Sequence, residues 1–208
     1  MAKDRILLCK PKMCGREIDF IKEALAEDWA TPLGPDCDAF EHELEEFVNQ
    51  ISPMNNEESA PNSTSNIQHS KLSKRVAALS SGTASLHLAL IACGVGPGDE
   101  VLVQSFTFCA STNPVAYLGA IPVFVDSEKE TWNMDPGLLE TAILDRIAKT
   151  GKKPKAIIPV ALYGMPYRIE DILRVSEKYG IPVIEDAAEG FGSRFNGQVL
   201  GTFGRFGA

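Results

Sequence analysis

Three short stretches of this chain carry side chains whose types and spacing could do chemistry. The first is Ser80-Ser81-Gly82-Thr83-Ala84, between a short apolar run, Val76–Leu79, and an apolar segment, Ala84–Ala92. A strand-to-helix junction offers free backbone N–H groups at the positive end of a helix dipole, which suits a phosphate. Gly82 would let the backbone approach closely, and the Thr83 hydroxyl would add a donor. The same residues also read as a plain helix start, with Ser81 or Thr83 as the cap. The second stretch is Glu185-Asp186, which closes the apolar run Pro182-Val183-Ile184 and sets a carboxylate at a strand's carboxyl end. Its alternative is that Asp186 caps the small-residue segment Ala187-Ala188. The third is Phe106 and Phe108, just past the apolar run Val101–Gln104, either as a stacking face or as core. A phosphate cradle, an aromatic face and an acid at three strand ends fit a flat phosphorylated heteroaromatic such as pyridoxal phosphate. The acid would pair with the pyridinium nitrogen and keep it protonated, which makes the ring an electron sink.

Other chemistries lack their residues. Gly94-Val95-Gly96-Pro97-Gly98 is glycine-rich but follows a helix, and Pro97-Gly98 is a turn signal. No GxxxxGK[ST] sequence is present, so a P-loop is not expected. His42, His69 and His87 have no second ligand at metal spacing, and Cys9, Cys14, Cys37, Cys93 and Cys109 form no CxxC pair, so no metal site is expected.

The elements that must position these residues follow from periodicity. Glu17–Asp28 reads as an amphipathic helix through Ile18, Ile21 and Leu25, and Trp29–Pro35 breaks it with two prolines and a glycine. A second helix is expected over Asp38–Ile51. Residues 52–73 are rich in Ser, Asn, Pro and Glu and read as a flexible polar insertion. From Lys74 onward, strands and helices alternate. Strands are expected at Val76–Leu79, Val101–Gln104, Ile121–Val125, Ala156–Val160 and Pro182–Glu185. Helices are expected at Ala84–Ala92, closed by Gly94, at Thr112–Leu118, from Asp135-Pro136 with Leu139, Ile143 and Ile147 inward, and at Ile169–Tyr179. Such alternation predicts an α/β fold with a mostly parallel sheet flanked by helices, whose ligands bind at the carboxyl ends of the strands.

The 208 residues suffice for one good α/β domain, with 44% hydrophobic and 23% charged residues. Lys+Arg 20 against Asp+Glu 28 gives a net charge of −8, which argues against nucleic acid or an anionic membrane as partner. No apolar run approaches the ~18 residues of a membrane span. Scattered thiols without a leader point to a cytoplasmic location.

Taken in order, Ser81-Gly82-Thr83-Ala84-Ser85-Leu86-His87-Leu88, Gly96-Pro97-Gly98-Asp99-Glu100-Val101, Thr107-Phe108 and Ile184-Glu185-Asp186-Ala187-Ala188-Glu189 resemble the DegT/DnrJ/StrS family of pyridoxal-phosphate-dependent sugar aminotransferases. Leu33-Gly34-Pro35 and Trp132-Asn133 resemble it too. The resemblance implies an aspartate-aminotransferase-like large domain (fold type I) and transfer of an amino group from glutamate to a 4-keto-6-deoxy nucleotide sugar for surface glycans. It implies a homodimer. It carries roles to single positions: Gly82, Thr83 and Ala84 at the cofactor phosphate, Phe108 stacked on the ring, and Asp186 on the ring nitrogen. Glu189 stands where many members have Gln or His near the cofactor's phenolic oxygen. Thr31 and Gly34 border the sugar-nucleotide site.

The family's Schiff-base lysine falls shortly after the segment corresponding to Gly201–Ala208, so no catalytic lysine is expected within these residues. Lys152, Lys153, Lys155 and Lys178 are poor substitutes. The expected organisation is therefore an N-terminal helical segment (1–51), the polar insertion (52–73) and an incomplete large domain (74–208), without the family's C-terminal small domain and inactive alone. The expected partner strand of Val76–Leu79 also lies later. Two alternatives stand beside this reading: a sugar dehydratase, which carries histidine in place of the lysine, and a non-catalytic product of a truncated gene.

Overall fold

The computed structural model describes residues 12–29, 31, 33–50 and 74–208. The expected flexible insertion lies outside the described residues. Two helices come first, α1 (Glu17–Ala26) and α2 (Pro35–Asn49). The second starts three residues earlier than expected, because Pro35 takes the first helical position, where its missing N–H is harmless.

The main body is a parallel sheet. Strands β1 (Glu100–Gln104), β2 (Ile121–Val125) and β3 (Ala156–Ile158) pair in the order β2-β1-β3. Single parallel bridges, Ile157 to Val183 and Val160 to Asp186, carry the sheet on to β4 (Ile184–Glu185). A short antiparallel hairpin, β5 (Arg194–Phe195) with β6 (Gln198–Val199), precedes β7 (Phe206–Gly207), which pairs in parallel with β4.

Both faces of β1, β3 and β4 are covered, as parallel strands require, while the edge strand β2 leaves Ile121 and Phe124 exposed. Leu102, Ile157 and Val183 face α5 (Pro136–Thr150) and α6 (Ile169–Tyr179) through Leu139, Ile143, Ile169 and Ile172. Val101, Val103, Ile158 and Ile184 face α3 (Gly82–Ala92) and α4 (Asn113–Tyr117) through Leu86, Leu90 and Val115. The alternation along β1 is the period-2 signature of a strand buried on both sides. Asp135 caps α5 by accepting from Gly137 and Leu138 N–H, and Gly151 closes it at φ +71°. Ile147 departs from the expected inward face: it sits in the last turn of α5, 36% exposed.

The expected strand Val76–Leu79 does not form a ladder in this structure. Its backbone is served by α2 instead: Ala78 N–H donates to Glu41 at 2.7 Å and Val76 N–H to Glu45 at 3.1 Å. Among the described residues no strand lies beside it, so sheet hydrogen bonding has nothing to act on.

Candidate functional site

The carboxyl ends of β1, β3 and β4 lie along one edge of the sheet. Gln104, the last residue of β1, is fully buried, and its amide stitches the loops there together. Its Oε1 accepts Met134 N–H at 2.8 Å, and its Nε2 donates to Phe106 O at 2.9 Å and to Asn133 Oδ1 at 3.3 Å. Asn133 in turn accepts Leu162 N–H at 3.1 Å and donates to Met165 O at 3.0 Å. Two buried amides thus hold the loops after β1, β2 and β3 in fixed relation.

Asp186 follows β4 and is 6% exposed. Its backbone is locked into the sheet by Asp186 N–H to Pro159 O and Ala161 N–H to Asp186 O, both 3.0 Å. Its Oδ2 accepts the Ser111 hydroxyl at 2.5 Å, and its Oδ1 accepts Ala188 N–H at 3.3 Å. Asp186 therefore does bond the segment after it, but Ala187-Ala188 forms a turn rather than a helix. Burial pushes the Asp186 carboxyl above its ordinary value, the hydrogen bonds from Ser111 and Ala188 oppose that, and the charge of Glu189 adds to it. A buried acid in this state gains from a cation.

Phe108 lies three residues before Ser111, at the start of the 3-10 turn Cys109–Ser111, with its ring 75% exposed. It is not core. Phe106, 46% exposed, meets Trp132 edge-to-face at 6.2 Å. Helix α3 packs against both this turn and β4. At its start Ser81 is the cap, accepting Ala84 N–H at 3.2 Å, and a Cβ on Gly82 would meet nothing within 4 Å. The first-turn N–H groups of Gly82 and Thr83 take no part in the helix ladder, as at every helix start. Ala84, by contrast, already gives its N–H to Ser81.

Glu189 is exposed, and its Oε2 accepts Tyr163 N–H at 2.5 Å, tying the turn after β4 to the turn Leu162–Gly164. Thr31 and Gly34 sit in the linker before α2. The Thr31 hydroxyl donates to Leu33 O. Gly34 lies under the Trp29 ring with φ +148°, and a Cβ there would come within 2.7 Å of Trp29 Cε3. Among the described residues, the contacts that join Asp186, Ser111 and the loop after β1 include neither of them.

Sequence reasoning missed three participants. The Ser111 hydroxyl reaches Asp186 across 75 residues of chain, and the Thr107 hydroxyl lies 2.7 Å from that of Ser111; Ser111 carries no local mark, and Thr107 stood only within the Thr107-Phe108 motif, with no role of its own. Glu185 was read merely as part of a strand end. It is 1% exposed and accepts N–H groups from Gly201, Phe203 and Gly204 at 3.1, 2.6 and 2.5 Å.

The residues present fit pyridoxal phosphate. A buried carboxylate in need of a cation, an exposed phenyl ring and the open start of α3 belong to neighbouring elements. A shallow surface cavity lined by Asp135, Glu140, Arg168, Asp171 and Arg174 takes in none of them, and its two arginines are already paired with Asp171. No helix among the described residues is long and apolar enough to cross a membrane.

The chain is similar to known proteins over nearly all of its length. EpsN of Bacillus subtilis is 44% identical over 98% of this chain and 46% of its own length. GDP-perosamine synthase of Caulobacter vibrioides is 36% identical over 96% of this chain and 46% of its own. The chain thus spans about half the length of these relatives. Among solved structures, Spr1654 of Streptococcus pneumoniae in its PMP form superposes with a TM-score of 0.78 at 29% identity, over 98% of this chain and 47% of that one. The same protein has also been solved in a PLP form. Aminotransferases of this kind depend on pyridoxal phosphate. Residues 67–208 match the DegT/DnrJ/EryC1/StrS aminotransferase family, and the chain belongs to it.

Proposed function

We propose that the complete protein transfers an amino group from glutamate to the ketone of a 4-keto-6-deoxy nucleotide sugar, working as a homodimer with pyridoxal phosphate. The observation that carries this is Asp186: a buried carboxylate at a strand's carboxyl end, oriented by Ser111 and flanked by the turn that presents Phe108. The sugar class rests on the name of the perosamine synthase relative and on the ordered motifs.

Pyridoxal phosphate, when bound, supplies an electron sink for the carbon that exchanges its amino group. This chain's residues make that sink usable. Asp186 would hold a proton on the ring nitrogen by remaining ionised beside it. The N–H groups of Gly82 and Thr83 would take the phosphate at the positive end of α3, with Ala84 in the same first turn. Phe108 would stack on the ring and exclude water from it. Glu189, which holds the Tyr163 turn, would lie near the cofactor's oxygen, and Thr31 and Gly34 would border the sugar.

The test uses the full-length protein with pyridoxal phosphate, glutamate and a nucleotide-linked 4-keto-6-deoxyhexose. Equal amounts of 2-oxoglutarate and amino sugar are expected. A deoxygenated sugar in place of an amino sugar, or no 2-oxoglutarate, overturns the reading.

A further inference from the structure

The loop that follows β1 does more than present an aromatic ring. Ser111 is fully buried and Asp186 nearly so, and their 2.5 Å contact joins two segments 75 residues apart. An ionised carboxylate only accepts, so the Ser111 proton must point to Asp186. A serine hydroxyl has one proton. Its 2.7 Å contact with Thr107 must therefore be the Thr107 hydroxyl donating to Ser111. The hydrogen bonds run in one direction, from Thr107 to Ser111 to Asp186. The other carboxylate oxygen takes Ala188 N–H. Each oxygen is thus held once, which fixes the plane of the carboxylate and leaves its remaining lone pairs for an incoming donor.

Resting on the reading above, we propose that Ser111, oriented by Thr107, is a positioning residue that sets the carboxylate plane of Asp186 toward the cofactor's ring nitrogen. Because Ser111 closes the turn that Phe108 opens, one short segment places both the ring's stacking partner and the partner of its nitrogen. The hydroxyl also helps to keep Asp186 charged. Burial pushes this carboxyl up, and Glu189 is the charged neighbour that pushes the same way, while Ser111 is the first of the groups that hold it down. Without that donor the carboxyl is held down less, which favours its protonation and weakens its preference for the protonated ring.

The experiment measures the dissociation constant of pyridoxal phosphate across a pH series for the full-length protein and for S111A, T107V, T107S and D186N. S111A is expected to weaken binding about tenfold at neutral pH, the range for a lost hydrogen bond to a charged group, and to move the acid limb of the binding profile to higher pH. T107V should change both in the same sense but less, and T107S should match the parent because it keeps the donor. T107V stays informative even if the buried Ser111 variant folds poorly. S111A and T107V binding like the parent at every pH, while D186N loses affinity, overturns the positioning role and leaves the Asp186 assignment standing. A weakened S111A with an unmoved pH profile, alongside an unaffected T107V, reduces Ser111 to packing and also overturns it. D186N binding like the parent overturns the assignment of Asp186 itself.

Discussion

The Glu41 carboxylate takes the backbone N–H of Ala78 at 2.7 Å, across 37 residues of chain. One helical turn on, Glu45 takes Val76 N–H at 3.1 Å, and Asn49 Oδ1 takes Lys74 N–H at 2.8 Å. The match is geometric. Four residues of helix rise about 6 Å, and two residues of extended chain advance about 6.6 Å. A row of acceptors at i, i+4 and i+8 on α2 therefore serves every second N–H of an extended segment, much as a neighbouring strand would. The polar face of α2 is what docks this helix beside the chain leading into α3.

Removing those acceptors should free the segment. The double variant Glu41→Leu/Glu45→Leu is expected to be cut by trypsin at Lys74 and Arg75 several times faster than the parent. The interaction is also sensitive to acid. The backbone N–H of Val76 holds the Glu45 carboxyl below its ordinary value, burial opposing and Arg75 assisting. A depressed carboxyl contributes stability above its unfolded value and loses it as pH falls. Trypsin is inactive in acid, so pepsin digestion between pH 5 and 3 reads this arm: cutting within 74–79 should rise as pH falls in the parent and stay high and flat in the double variant.

A second acid-sensitive point is Glu128, 5% exposed in the loop after β2. Burial alone would raise its carboxyl, but hydrogen bonds from Glu130 and Thr131 outweigh burial and hold it down at about 2. Its folded value is thus below its unfolded one. The stabilisation is complete above about pH 4.5 and disappears as pH falls toward 2. Urea unfolding of the parent and Glu128→Gln should differ at pH 6, and the difference should shrink steadily between pH 4.5 and 2. A constant difference would show that Glu128 acts by shape alone.

The amide pair Gln104 and Asn133 makes a third case. Gln104→Leu keeps the apolar volume but strands Met134 N–H and Val160 N–H in a buried site. Each orphaned buried group costs about 1–3 kcal/mol, so a loss of about 2–4 kcal/mol is expected in chemical denaturation. Because the pair holds the loops after β1, β2 and β3, pyridoxal phosphate affinity should fall as well. Unchanged stability would remove Gln104 from this role.

What could be read from the sequence was whatever is decided locally. Asp135-Pro136 and Gly151 bracket α5, since a capping carboxylate, an N1 proline and a left-handed glycine act within one turn. The apolar runs of β1 and β2 announced themselves in the same way. The place of Asp186 at a strand's carboxyl end was legible because a carboxylate closing an apolar run is unusual in itself. Val76–Leu79 reads as a strand from its own composition, but ladder formation depends on a neighbour, and nothing local shows that α2 serves its N–H groups instead. Strand β7 was missed because Phe206-Gly207 has no strand signature. Its glycine is needed for close approach, since a Cβ at Gly207 would fall 2.0 Å from Gly201 O. Ser111 carries no local mark at all, and its role comes from a partner 75 residues away.

Glu185 ties that late segment to the site. Its buried carboxylate gathers the N–H groups of Gly201, Phe203 and Gly204, while its own carbonyl takes Ala208 N–H at 2.9 Å. Ala208 O in turn accepts Ala187 N–H at 2.7 Å, directly beside Asp186. The loop 201–204 is therefore the anchor that brings β7 alongside β4, and Ala208, directly after β7, lies at the Asp186 end of the sheet. The Tyr167 hydroxyl, buried next to Glu185, is pushed well above its ordinary value by burial and by that negative charge, so it stays neutral and adds no second charge to the cluster. Glu185→Ala strands three N–H groups at once and should destabilise the fold by about 3 kcal/mol or more. Amide exchange should show it locally. Arg205 and Ala208, whose N–H groups bond Val183 O and Glu185 O, are expected to lose protection, while Leu102 and Val103 in β1 keep theirs. Equal loss in β1 and β7 would mean that Glu185 supports the whole sheet rather than this one strand.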